Sequence, residues 1–279
     1  MRGGTERSDA RLTAVRPATT RQRGHVEATV SERIRAARER LARACARTGR
    51  PVESVHLVAV SRSIAPAGIR AAAECGLETF GETHVREAAQ KIPRCPDRLS
   101  WHMIGRLRQA HVAGAVALFE MVHRVDSADV LEALDEACRE TGRRMAICVE
   151  VNVAGRGSRN GLPPPDVPAF LDRCSEMTAL TVTGLSTVPP VSLDAERTRF
   201  FFSALRAYRE QWREETGFDL PDLAMGTTRE LETAVEEGAT WIWLTSVLDR
   251  GTGSGRAGAA EPGSEDGIPW EKTESRNGG

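Results

Sequence analysis

The stretch Val55-His56-Leu57-Val58-Ala59-Val60-Ser61-Arg62 decides how the chain is read. Five of its first six residues are apolar and several are β-branched, so it does not alternate between a wet and a dry face. Such a run predicts a parallel strand buried on both sides. It ends in Ser61-Arg62-Ser63, just ahead of Pro66, which opens a predicted helix. A side chain at the carboxyl end of a parallel strand points to where α/β folds keep their ligands, which makes Arg62 the first candidate binding residue. On pattern alone, an exposed loop arginine is the competing reading.

Outward from this stretch, strand and helix alternate eight times. Strands are predicted over residues 55–60, 78–81, 101–105, 121–126, 145–153, 180–187, 223–226 and 240–246. Helices are predicted over 66–75, 83–92, 107–119, 128–141, 165–177, 195–216 and 228–237. This habit belongs to a (β/α)8 TIM barrel or a large doubly wound sheet, and short second and seventh strands ending in glycine favour the barrel. No G-x-G-x-x-G follows the first strand, so a dinucleotide site is not supported. Ahead of the barrel, Ile34, Ala37, Leu41, Ala44 and Cys45 form one apolar stripe of a helix expected to be capped at Ser31 and stopped by Gly49 and Pro51. The expected organisation is a disordered extension over residues 1–25, one barrel domain over 26–250, and a flexible Gly/Ser-rich acidic tail over 251–279. The tail leaves the last barrel helix short or missing.

The 279 residues are 40% hydrophobic, enough for a core, and a formal net charge of -1 gives no global pull toward nucleic acid or an anionic membrane. No run of 18 apolar residues occurs, and the basic N-terminus lacks the apolar core of a secretory signal. Six cysteines are scattered without C-x-x-C or zinc spacing, which suits buried free thiols in a reducing, cytoplasmic setting. Only two lysines occur, Lys91 and Lys272.

The predicted strand ends gather arginines, hydroxyls and glycines on one rim. They include Arg62, Thr83, Arg106, Arg108, Ser186, Thr228, Thr245 and Ser246. Hydroxyls after the seventh and eighth strands stand where such barrels often bind phosphate, and Thr227-Thr228 is placed at a helix start. Plain N-capping by threonine is the alternative. His102 could be a base but reads better as a satisfied core residue. Trp241 and Trp243 share one strand face by the period of two, with packing as the default role. Asp126 reads as buried polar support.

At these residues the chain resembles the pyridoxal phosphate homeostasis proteins of the YggS/PROSC type, single-domain relatives of the alanine racemase N-terminal barrel. The likeness runs from about Ser31 to Ser246. It is carried by Leu57-Val58-Ala59-Val60-Ser61, Phe80-Gly81-Glu82, Trp101-His102-Met103-Ile104-Gly105, Asp126, Val151-Asn152-Val153, Gly161, Gly184-Leu185 and Met225-Gly226 followed by Glu232 and Ala234. The resemblance implies a barrel that holds pyridoxal 5'-phosphate (PLP) through a lysine ending the first strand, and here that position is Arg62. A guanidinium is a poor nucleophile, so the covalent bond is lost. Other pocket positions depart as well. The family's Gly-Glu-Asn-Tyr is Gly81-Glu82-Thr83-His84, its Ser-Lys-x-Gly is Ser158-Arg159-Asn160-Gly161, and its Gly-Leu-Met is Gly184-Leu185-Ser186. Its Met-Gly-Met-Ser is Met225-Gly226-Thr227-Thr228, which keeps a hydroxyl. Its last-strand Arg-Ile-Gly-Thr is Trp243-Leu244-Thr245-Ser246, so an indole replaces the arginine expected near the pyridine nitrogen.

The expectation is therefore a non-catalytic relative that binds PLP non-covalently at most, or another small anionic or phosphorylated ligand. Arg62, Thr83, Ser186, Thr228, Trp243, Thr245 and Ser246 are the expected site residues. No metal, nucleic acid or membrane is expected, and the chain is read as a monomer or as a dimer with a relative. The alternatives are a recruited biosynthetic enzyme or accessory using Arg62, Arg106, Arg108, His84 and Glu82 on an anionic substrate, and a degenerate partner subunit of an intact relative.

Overall fold

The computed structural model describes residues 20–155, 160–190 and 194–248. Eight strands run in parallel: β1 (His56–Val60), β2 (Thr79–Glu82), β3 (Ser100–Met103), β4 (Met121–Val125), β5 (Met145–Glu150), β6 (Leu180–Ser186), β7 (Asp222–Thr227) and β8 (Trp241–Leu244). Each pairs with the next, and β8 returns to β1 through Val58↔Trp243 and Ala59↔Leu244, closing the barrel. The helices are α1 (Thr20–Thr48), α2 (Pro66–Glu74), α3 (Val85–Lys91), α4 (Val112–Leu118), α5 (Ala128–Thr141), α6 (Val167–Cys174), α7 (Ala195–Thr216) and α8 (Leu231–Glu236). The predicted (β/α)8 barrel is the observed fold.

Because both faces of each strand are buried, the period of two sorts side chains into two cores. Ala59, Phe80, Met103, Val122, Ile147 and Leu185 point outward and join helix residues such as Leu131 and Leu205 in one large cluster. Val58, Ile104, Met121, Cys148, Ala224 and Trp243 point inward and fill the barrel separately. Burying each large side chain contributes about 1.5–3 kcal/mol, so this double layer dominates the stability of the fold. The described cysteines are free thiols, mostly buried.

Several boundaries differ from expectation, and two bear on the reading of the site and of the helix ahead of the barrel. Helix α1 begins at Thr20, so Ser31 lies inside it and caps nothing; apart from Gly24, residues 20–30 contain no strong helix breaker. Helix α8 begins at Leu231, so Thr228 does not open a helix and the expected anion site at a helix start is withdrawn. The cause is local. Gly226 turns the chain at φ +89, and the Glu230 carboxylate accepts both the N–H and the hydroxyl of Thr227, folding residues 227–230 into a turn. Residues 20–25, expected within the disordered extension, belong to α1, while the expectations for residues 1–19 and for the tail fall outside the described residues.

Helix α1 is held to the barrel by charge as well as by its stripe. Arg40 makes a bidentate pair with Glu232 of α8 at 2.6 and 2.5 Å, and Arg47 pairs with Glu236 at 2.7 Å. Arg199 of α7 joins Glu236 and Glu237, so α1, α8 and α7 share one ion network. A groove of about 440 Å³ lies beside α1, lined by Ser31, Ile34, Arg35, Arg38 and Cys75 among others. It belongs to the outer helical layer, and the Arg38 guanidinium is already spent on Cys75 O and Gly76 O.

Candidate functional site

The carboxyl ends of the strands form one mouth, and β1 contributes Arg62 in the turn that follows it. Arg62 is exposed and makes no hydrogen bond or ion pair among the described residues. Val60 pairs with Gly81, and Ala59 pairs with Leu244, so β1 runs between β2 and β8, and Arg62, in the turn that follows it, lies beyond the strand ends that lead to Thr83 and Ser246. Thr83 is half-buried and its hydroxyl bonds His84 Nδ1 at 2.9 Å. On the other side the Ser246 N–H donates to the Thr228 hydroxyl at 3.4 Å, joining the ends of β7 and β8, with exposed Thr245 alongside. The structure therefore brings Arg62, Thr228, Thr245 and Ser246 to one sector of the rim. Gly226 is indispensable to that sector, since a Cβ there would strike Ala234 Cβ and the backbone is left-handed.

Lys91 does not reach this mouth. Its ammonium donates to Ser61 O at 2.8 Å and to Glu82 Oε1 at 2.6 Å, and the Ser61 hydroxyl donates to the same carboxylate oxygen at 2.6 Å. Glu82 is fully buried. Its expected place on a charged rim is therefore corrected: its carboxylate is enclosed with Lys91 from α3. The lysine is a strut under the end of β1, not a nucleophile.

Trp243 is also away from solvent, 6% exposed, and packs on the inward cluster. Its indole N–H donates to His123 Nδ1 at 3.4 Å. An indole nitrogen can only donate, and this fixes every tautomer below it. His123 carries its proton on Nε2 and donates to His102 Nδ1 at 2.9 Å; His102 donates from Nε2 to Ser100 Oγ at 3.2 Å, and Ser100 donates to Glu120 at 2.6 Å. Both imidazoles are neutral. Burial lowers the His102 pKa to about 4, and burial holds that of His123 well below the usual histidine range. His102 is thus the satisfied core residue, and the paired tryptophans fill the barrel.

Sequence reading missed the polar side of the interior. Strand β4 pairs Val122 with Ile147 and Val125 with Val149, so it carries one extra residue, a bulge. The extra residue lets Arg124 as well as His123 serve the interior. Arg124 donates to Glu150 Oε1 at 2.7 Å, and the Glu150 side chain is only 2% exposed. Burial raises the Glu150 pKa, and Arg124 offsets part of the rise. Asp126 accepts the Gly161 N–H at 3.2 Å and stands 3.5 Å from Arg106 Nε, the supporting role expected of it. Ser186 ends β6, fully buried, with a hydroxyl that has no partner among the described residues. A bulge leaves no compositional mark, so Arg124 and Glu150 were not visible in the pattern, whereas Asp126 and Ser186 are read from their places at strand ends.

The residues present suit an anion held by a cation, hydroxyls and backbone N–H groups. They do not suit a covalent bond to lysine at the mouth. Among the described residues no helix is long and apolar enough to cross a membrane, and no group of three His, Cys, Asp or Glu side chains is set to hold a metal ion.

Comparison with known proteins agrees with this architecture. The family model of the alanine racemase N-terminal domain matches residues 33–242. The pyridoxal phosphate homeostasis protein of Aquifex aeolicus (strain VF5) is 31% identical over 218 residues, which cover 78% of this chain and 96% of that protein. The Pseudomonas aeruginosa protein of the same name is 30% identical over 221 residues, covering 79% and 94%. Among solved structures, PipY of Synechococcus elongatus PCC7942 with PLP bound superposes at a TM-score of 0.67 with 34% identity, over 76% of this chain and 99% of that one. Alanine racemase of Clostridium difficile 630, at 9% identity and a TM-score of 0.62, shares the fold. The barrel, its landmarks and these likenesses lead to one statement: the chain belongs to the pyridoxal phosphate homeostasis protein family, built on the alanine racemase N-terminal domain.

Proposed function

We propose that this chain is a homeostasis-type carrier that holds a vitamin B6 phosphate without a covalent bond and without turnover. The observation that carries the reading is Arg62, exposed and without a partner among the described residues at the end of β1, where the family resemblance calls for lysine. The family membership and the PLP-bound PipY structure support the ligand class. Arg62 supplies the charge that attracts the phosphate, and Thr228, Thr245 and Ser246 supply hydroxyls beside it. When bound, the group would bring an electrophilic carbon, but the described lysine is locked to Glu82 and offers it no free amine.

The test is a PLP titration of the full chain followed by borohydride reduction and mass spectrometry. Saturable binding is expected, with no pyridoxyl adduct after reduction. A pyridoxyl group trapped on Lys91 or Lys272, or failure of PLP to bind at all, removes the proposal.

A further inference from the structure

Three polar atoms near the carboxyl ends of β4, β5 and β6 are shielded from solvent and have no hydrogen-bond partner among the described residues: Arg124 Nε, Glu150 Oε2 and Ser186 Oγ. They are neighbours. Arg124 holds the other oxygen of Glu150 at 2.7 Å, and Glu150 stands directly opposite Ser186 in the β5–β6 register. Both point inward, because they alternate with Val149 and Leu185 of the outer cluster. Each unpaired buried group costs about 1–3 kcal/mol, so three together mark a place that another molecule completes. The backbone at Gly161 closes over them: a Cβ there would lie 3.2 Å from Glu150 Cγ.

The atoms define their complement. A guanidinium N–H donates, a carboxylate oxygen accepts, and a serine hydroxyl does either. One neutral group that both donates and accepts satisfies them, and an aliphatic hydroxyl is such a group. An aldehyde oxygen accepts only and leaves Glu150 Oε2 unpaired. An ammonium donates only and stands beside the Arg124 charge. The arginine and glutamate already neutralise each other, which again favours an uncharged group.

We propose that Arg124, Glu150 and Ser186 form a hydroxyl-reading subsite, so that the ligand of the mouth is a phosphate ester bearing a free hydroxymethyl group in preference to the corresponding aldehyde. The inference rests on the reading that the mouth takes a vitamin B6 phosphate. It assigns the chain to the alcohol form of that ligand, the form that has no use for the missing lysine.

The experiment is calorimetric titration of the full chain with pyridoxine 5'-phosphate, PLP, pyridoxamine 5'-phosphate and inorganic phosphate. Pyridoxine 5'-phosphate is expected to bind about tenfold tighter than PLP or the amine, the effect of one well-made hydrogen bond to a charged group. Ser186→Ala removes a hydroxyl without a partner and leaves the fold intact; it should cut the preference to about threefold or less. Arg62→Ala should weaken all the esters alike and leave the ratio unchanged. Equal affinities, tighter binding of PLP, or a preference untouched by both Ser186→Ala and Glu150→Gln overturns the subsite and means that the three atoms are merely hydrated. If none of the esters binds, the proposed function itself fails and the subsite falls with it.

Discussion

At the scale of single residues, the two basic groups near the end of β1 have opposite fates. Arg62 is exposed at the mouth with no partner among the described residues, whereas Lys91 is enclosed with Glu82 and Ser61. Arg62→Lys is expected to restore capture: after PLP and borohydride, a pyridoxyl adduct should appear at position 62, where the parent chain gives none. Arg62→Ala should instead weaken PLP by about tenfold, the loss of one charge-assisted contact, with unchanged thermal stability. Lys91→Met leaves the Glu82 carboxylate buried with only the Ser61 hydroxyl beside it, so unfolding free energy should drop by about 3–5 kcal/mol in urea titrations. Composition announced the shortage of lysine, but not that the described one is a strut. That depends on α3 folding back so that its last residue reaches two strand ends.

At the scale of elements, the ends of β7 and β8 depend on one backbone conformation. Gly226→Ala forces a Cβ into a left-handed residue that also abuts Ala234, so a loss of about 1–3 kcal/mol is expected by chemical denaturation. Arg40→Ala removes the bidentate pair between α1 and α8, a partly exposed contact, and should cost about 1 kcal/mol or less, more of it at low salt. The strand-and-helix order was legible because each element carries its own period. The start of α8 was not, because a glutamate three residues after Thr227 folds the approach into a turn, and that carboxylate is not distinguishable in sequence from a helical one.

At the scale of the whole molecule, the histidine chain makes stability depend on pH. His102 titrates near 4 when folded against 6.5 ordinarily, so the unfolded chain binds its proton first as pH falls. The stability it contributes is complete above pH 6.5 and is lost on the way down to about 4, roughly 3 kcal/mol from this residue alone, with His123 adding in the same direction. Glu150, whose pKa is raised, acts in the opposite sense, so the measurement is a difference: urea midpoints from pH 7 to 4 for the parent and for His102→Gln, with the variant expected to show the shallower slope. By itself the sequence determined the eightfold order of strand and helix, the arginine at the end of the first strand and the hydroxyls at other strand ends, because strand period and strand ends are local properties. The family was legible from the resemblance of its landmark residues. Only the tertiary structure decided that Lys91 is enclosed, that Trp243 is tied through two neutral histidines, and that Arg124, Glu150 and Ser186 converge with unpaired atoms. Those facts arise from a bulge and from side chains meeting across the barrel, between residues far apart in the chain, where no local pattern reaches.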